Sequence, residues 1–200
     1  GIDIHAMTAS QMFGVPVEGM DPMIRRQAKA INFGVIYGIS GFGLSRNLRI
    51  PRAEAQAFID TYFERFPEIR AYMDKTVENA KRDGFVRTIF GRRIPTPGIN
   101  SSGPAAGGAR RAAINAPIQG AAADIIRRAM IRMPQAIRGL PATMLLQVHD
   151  ELVFEVSEGA TDALISAARK VMEGAAEPAE KLSVPLVVDA GVGDNWAEAH

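Results

Sequence analysis

The sequence predicts an α+β fold, a helical N-terminal half followed by a small mixed unit built on a β-hairpin and an antiparallel sheet packed on helices. Three observations carry this. Apolar residues recur at three-to-four-residue spacing through segments that open on Pro and close on Gly. Two short runs rich in Val, Leu and Phe meet at Asp150-Glu151, the pattern of a hairpin. A stretch rich in Pro, Gly and Ser, residues 94–108, separates the two halves as a loop.

Taken in order, Asp21-Pro22 is a helix start, because Asp caps free N–H groups and Pro suits the first helical position. The helix runs to about Tyr37, where Gly38 offers a stop. Ile39 to Leu48 predicts a turn and a short helix. Pro51 opens a helix from Arg52 to about Phe66, with Phe58, Ile59, Tyr62, Phe63 and Phe66 as its apolar stripe. Pro67 opens another, with Ile69, Tyr72, Met73, Thr76, Val77 and Ala80 on one side and Gly84 at its end. Phe85 to Phe90 predicts a short strand. Arg110 to about Met133 predicts a long helix, interrupted at Pro117. Thr143–His149 and Leu152–Val156 form the hairpin, Ala160–Ala176 a helix, and Val184–Val192 a last strand.

The chain has 200 residues, 47% hydrophobic and 22% charged, enough for a core. The lack of cysteine excludes disulfides and thiolate metal sites and suits a reducing cytoplasm. No apolar run approaches the roughly 18–20 residues a membrane span needs. The N-terminus lacks the pattern of a signal peptide. It begins at Gly1, and Ile2-Asp3-Ile4-His5 reads as the middle of a longer sequence, which predicts a fragment. Charge is sorted along the chain. Residues 20–138 hold 20 Lys/Arg against 9 Asp/Glu, and residues 139–200 hold 3 against 11. Such sorting suits a protein that holds a polyanion with one part and divalent cations with another, and it equally fits accidental sorting of surface charge.

Arg25, Lys29, Phe33 and Tyr37 fall at four-residue steps. Each step drifts only about 40° around a helix, so the four share one broad face. A phosphate would meet the cations near the helix N-terminus, and the rings beyond could stack on a sugar or base. The spacing alone also fits an amphipathic helix with rings in the core and cations in solvent. At the hairpin, Asp150 and Glu151 form a carboxylate pair. Neighbouring strand residues face opposite ways, so the two need not share an ion, and a solvated turn has the same pattern.

The run Arg25-Arg26-Gln27-Ala28-Lys29-Ala30-Ile31-Asn32-Phe33-Gly34-Val35-Ile36-Tyr37-Gly38 resembles motif B of family A DNA polymerases, the bacterial DNA polymerase I type. Gln147-Val148-His149-Asp150-Glu151-Leu152-Val153-Phe154-Glu155 resembles motif C of that family, and Asp3-Ile4-His5 an upstream phosphate-contacting sequence. Arg111-Ala112-Ala113-Ile114-Asn115-Ala116-Pro117-Ile118-Gln119-Gly120 resembles a segment that touches primer-template DNA. Arg110 and Ala121 depart from the family pattern, which often has Glu and Thr or Ser there.

The resemblance implies fingers over residues 1–93 and the C-terminal part of a palm over 109–200. It implies that His5, Arg25 and Lys29 contact the incoming dNTP, that Phe33 packs on its sugar and disfavours nucleotides lacking a 3′-hydroxyl, and that Tyr37 lies near the templating base. Asp150 would ligate Mg²⁺ in a two-metal site, with Glu151 in support and His149 near the primer terminus. Arg111, Asn115 and Gln119 would contact DNA. It further implies a second metal carboxylate, a thumb and more palm upstream in the same polypeptide, and a cytoplasmic protein of the bacterial nucleoid. A binding module without chemistry, or a single-subunit RNA polymerase, are the competing readings; Phe33 and Glu151 argue against the latter.

Overall fold

The computed structural model describes residues 3–199. The order begins with helices α1 (Ile4–Phe13), α2 (Pro22–Ile36), α3 (Gly41–Leu48), α4 (Arg52–Arg65) and α5 (Pro67–Asp83). Strands β1 (Phe85–Arg87) and β2 (Arg93–Pro95) follow, then the long helix α6 (Pro104–Ala136). A hairpin of β3 (Ala142–Val148) and β4 (Glu151–Val156), helix α7 (Thr161–Glu173) and the short α8 (Trp196–Ala199) complete it. The fold is α+β, with two small antiparallel sheets, β1–β2 and β3–β4.

Local chemistry explains the helix ends. Asp3 caps α1 by accepting from the His5 and Ala6 backbone N–H groups, and Gly14 ends it in the left-handed region. Asp21 accepts from Met23 N–H, with Pro22 in the first turn of α2. Ser40 accepts from Gly43 N–H at the start of α3.

Contacts divide the chain into two units, one of residues 1–87 and 93–117, the other of residues 88–92 and 118–200. In the first unit, Ile31, Val35, Leu44, Ala55, Ile59 and Tyr62 form one buried cluster, so α2, α3 and α4 pack on one another. The expected stripe of α4 supplies part of it. A second cluster holds Val77 and Ala80 of α5, Val86 of β1, Ile99, and Ala113 and Ile114 of α6. In the second unit, Met133, Ile137 and Leu164 are buried, with Met144, Leu152, Phe154 and Val156 of the hairpin against them. Arg128 and Arg132 of α6 donate to the carbonyls of Gly174, Ala175 and Glu177 beyond α7.

Several expectations need correction. The stretch 94–108, expected as a loop, is irregular only over 96–103, because β2 occupies its start and α6 begins at Pro104. Gly107 and Gly108 are poor helix formers and hide that start in the sequence. Pro117 does not interrupt α6, which runs through it unbroken. The hairpin turns at His149-Asp150, with Val148 opposite Glu151, rather than at Asp150-Glu151. The strand expected at Val184–Val192 is not formed; Val184, Val187 and Val192 are 70, 78 and 62% exposed. A strand needs a partner for its N–H and C=O groups, and apolar alternation alone supplies none. α1 has no counterpart among the elements expected from the sequence.

Candidate nucleotide and nucleic-acid site

Helix α2 buries Ala28, Ile31, Asn32 and Val35. Arg25, Lys29, Phe33 and Tyr37 occupy the other side, exposed, so the rings are not core residues. Phe33 is 46% and Tyr37 38% exposed, a poor use of aromatic surface unless something covers it. The two rings lie 6.3 Å apart and nearly parallel. Lys29 Nζ stands 6.0 Å from the Phe33 ring centre. Arg25, Arg26, Lys29, Ala30 and Phe33 line an open cleft of about 540 Å³.

His5 joins this face from α1, its ring 5.5 Å from that of Phe33. A polar network behind it holds it there. Asn32 Nδ2 is 3.1 Å from His5 Nδ1 and donates to Thr8 Oγ1 at 3.1 Å, and both Asn32 and Thr8 are buried. A buried amide is expensive unless it is bonded, so this contact fixes α1 against α2. Asp3 works twice. One carboxylate oxygen caps α1, and the other accepts from Arg25 Nε at 2.6 Å. The Arg25 hydrogen bond is the main reason that the Asp3 carboxyl titrates below its ordinary range. Among the described residues, no carboxylate pairs with Lys29.

Asp3, Thr8, Arg26 and Asn32 escaped the reading of the sequence. The signal for Asn32 was present: a polar side chain on the apolar side of α2. The role of Asp3 had none, since its partner lies 22 residues away.

Arg111 and Asn115 belong to the first unit, on the part of α6 before Pro117. Gly38, with φ of +73°, lets Arg111 lie against it; a Cβ there would stand 3.1 Å from Arg111 Cγ. The Oδ1 of Asn115 is enclosed and has no hydrogen-bond partner among the described residues. Gln119 is exposed and belongs to the second unit.

In the second unit, His149 and Asp150 form the exposed hairpin tip and Glu151 begins β4. His149 has φ of +52°, a conformation costly for a non-glycine residue, and Gln147 Nε2 donates to its carbonyl. No cluster of three His, Cys, Asp or Glu side chains suited to a metal occurs among the described residues. Asp150 fits the role of one oxygen ligand for a hard cation and does not complete a site by itself.

Comparison with known proteins gives a consistent picture. The chain is 57% identical to DNA polymerase I of Rhizobium leguminosarum, over 100% of this chain and 20% of the relative. It is 48% identical to the thermostable DNA polymerase I of Thermus aquaticus, over 100% of this chain and 24% of the relative. It therefore spans about a fifth to a quarter of the length of these relatives. Among solved structures, the POL domain of Pol1 from M. smegmatis, in complex with DNA primer-template and dNTP, matches with a TM-score of 0.91 and 44% identity, over 98% of this chain and 35% of that one. The family model for DNA polymerase family A matches residues 1–198, and the chain belongs to that family.

Proposed function

We propose that this chain supplies the dNTP-binding fingers (residues 1–93) and the motif C part of the palm (109–200) of a DNA-directed DNA polymerase. The reaction is transfer of dNMP from a dNTP to a primer 3′-hydroxyl, in bacterial DNA replication or repair within the cytoplasm. The observation that carries it is the solvent face of α2, with two cations followed by two stacked rings.

Arg25 and Lys29 hold triphosphate oxygens, Arg25 as a fork and Lys29 as a point charge. To do so Arg25 gives up Asp3. His5 adds a donor to the phosphates. Phe33 packs on the sugar, and Tyr37 presents its ring near the templating base. The primer 3′-hydroxyl gives up its proton to solvent and its oxygen attacks the α-phosphorus; that P–O bond forms, and the bond to the pyrophosphate leaving group breaks. Lys29 steadies the charge gathering on that leaving group. Asp150 would supply one carboxylate to Mg²⁺, with Glu151 in support, and an ion held there would supply neutralisation of charge on the reacting oxygens. A further carboxylate and a thumb belong to upstream sequence in this reading. Arg111, Asn115 and Gln119 hold the primer-template, and His149 borders the primer end.

The test is Mg²⁺-dependent primer extension by two proteins. One is the 200-residue chain alone. The other is the R. leguminosarum relative with its matching segment replaced by this chain. Extension by the chimera that is lost in Asp150→Asn supports the reading. A folded chimera that does not extend would sink it. A second reading, binding without turnover, applies to the chain alone, since Asp150 sits in a turn with no further carboxylate cluster among the described residues.

A further inference from the structure

We propose that Asn32 is a positioning residue for the incoming dNTP: its buried amide sets the tautomer of His5, so that the ring meets a phosphate as a neutral Nε2–H donor. The proposal deepens the dNTP reading above and rests on it. Three polar contacts carry the assignment. Thr8 Oγ1 donates to the Ile4 carbonyl at 2.8 Å. A hydroxyl has one proton, so toward any other group this oxygen can only accept. The group that approaches it at 3.1 Å is therefore an amide N–H, which fixes the end of the Asn32 side chain that is nitrogen. The same Nδ2 lies 3.1 Å from His5 Nδ1. An amide NH2 only donates, so Nδ1 is the bare, accepting nitrogen of the ring. The proton of a neutral imidazole then sits on Nε2, across the ring.

The surroundings keep this order. Asn32 is 5% and Thr8 1% exposed, so water does not replace either partner, and a buried amide that lost them would be costly. Asp3, a carboxylate two residues from His5, is engaged elsewhere. It accepts from the backbone N–H groups of His5 and Ala6 and from Arg25. The His5 ring is half-buried and stands 5.5 Å from the Phe33 ring. With Nδ1 turned to the amide, Nε2 is the nitrogen left for a ligand. An ionised phosphate oxygen accepts and does not donate, so a proton on Nε2 suits it, whereas a lone pair there would repel it. The competing arrangement reverses the amide. Its carbonyl would then face both neighbours, Thr8 would withdraw its proton from Ile4, and His5 would carry its own on Nδ1.

The measurement is NMR of the isotope-labelled 200-residue chain at alkaline pH, where imidazole is neutral. The chain has 3 histidines, and His5→Gln assigns the His5 signals by their loss. A bare Nδ1, a protonated Nε2, and coupling across the hydrogen bond from Asn32 Nδ2 to His5 Nδ1 are expected. A proton on Nδ1 overturns the proposal, as does a mixture of the two tautomers. Asn32→Asp keeps the size of the side chain and, ionised, offers only acceptors, so it should draw the proton to Nδ1. A variant ring that keeps the wild-type tautomer overturns the role of Asn32. The wild-type spectrum decides even where this variant fails to fold.

Kinetics of the chimera provide the second arm. Asn32→Asp should raise the dNTP KM about tenfold or more with kcat little changed, because the phosphate contact is made both before and during reaction. In a His5→Gln background the same substitution should raise KM no further. An equal further rise there marks plain repulsion of the triphosphate by the new carboxylate and overturns the positioning role. A chimera that extends no primer breaks the polymerase reading alone, since the tautomer still stands or falls on the spectrum.

Discussion

The exposed face of α2 draws four candidate ligand-binding side chains from one helix, whereas the β3–β4 tip offers one turn carboxylate, Asp150, followed by Glu151 at the start of a strand. The difference follows from the two periodicities. Four-residue steps on a helix keep side chains together, so a short sequence can assemble a site for an extended anion. Successive strand residues point to opposite faces, so neighbouring carboxylates on a hairpin need not converge on one ion. A hairpin metal site therefore takes ligands from elsewhere, and a helix face does not need them. The support differs too. Behind the helix face lie the buried Asn32 and Thr8 contacts, while the tip stands on a positive-φ residue in solvent.

The most severe test of this comparison is Asp150→Asn in the chimera. It should cut primer extension by about a thousandfold or more and leave Tm unchanged, because the tip is exposed. Residual extension near wild type would show that the tip is not where the cation is held. Next in size is Lys29→Ala. Loss of a charge-assisted hydrogen bond to phosphate should raise the dNTP KM roughly 10- to 100-fold with little change in duplex affinity. Equal loss of both would show that the helix face grips DNA rather than the triphosphate.

A smaller effect concerns the helix that carries Arg111 and Asn115. Pro117 has no N–H to give to the Ala113 carbonyl, and the Tyr72 hydroxyl donates to the next carbonyl, Ile114, at 3.3 Å. Tyr72→Phe should destabilise the chain by about 1 kcal/mol, read as a lower midpoint in urea unfolding. An unchanged midpoint would mean that the Tyr72 hydrogen bond contributes nothing to holding this helix.

The least effect is one of pH. The folded-state value of Asp3 lies below the ordinary 3.8, mainly because of its Arg25 hydrogen bond. The stability it contributes is therefore complete above that ordinary value and is lost as pH falls through the lower, folded one. Solvent exposure keeps it small. Asp3→Asn keeps an acceptor for the α1 cap and should lack this acid-limb slope; an identical slope would assign it to other carboxylates.

The same contrast explains what the sequence could reveal. The helices from α2 to α5 were legible because Pro, Asp, Ser and Gly punctuate them and their apolar stripes are local. The shared face of Arg25, Lys29, Phe33 and Tyr37 was legible by arithmetic, but whether it faced core or solvent was not. That depended on Ile31 and Val35 finding α3 and α4. The hairpin was visible, while its turn fell one residue earlier because His149 accepts a left-handed conformation. Pro117 misled because a proline usually ends a helix. The bond that Tyr72 makes to Ile114, 42 residues away, lies outside any local pattern.

The exposed valines at 184, 187 and 192 bear on how the isolated chain behaves in the tube. An apolar, strand-prone stretch that belongs to no sheet is a template for the same stretch of another copy. Concentrated stocks should self-associate and lose solubility on storage, faster at high salt, where the charges that keep copies apart are screened. Val187→Lys, a single gatekeeping charge, should extend their shelf life without touching either candidate site.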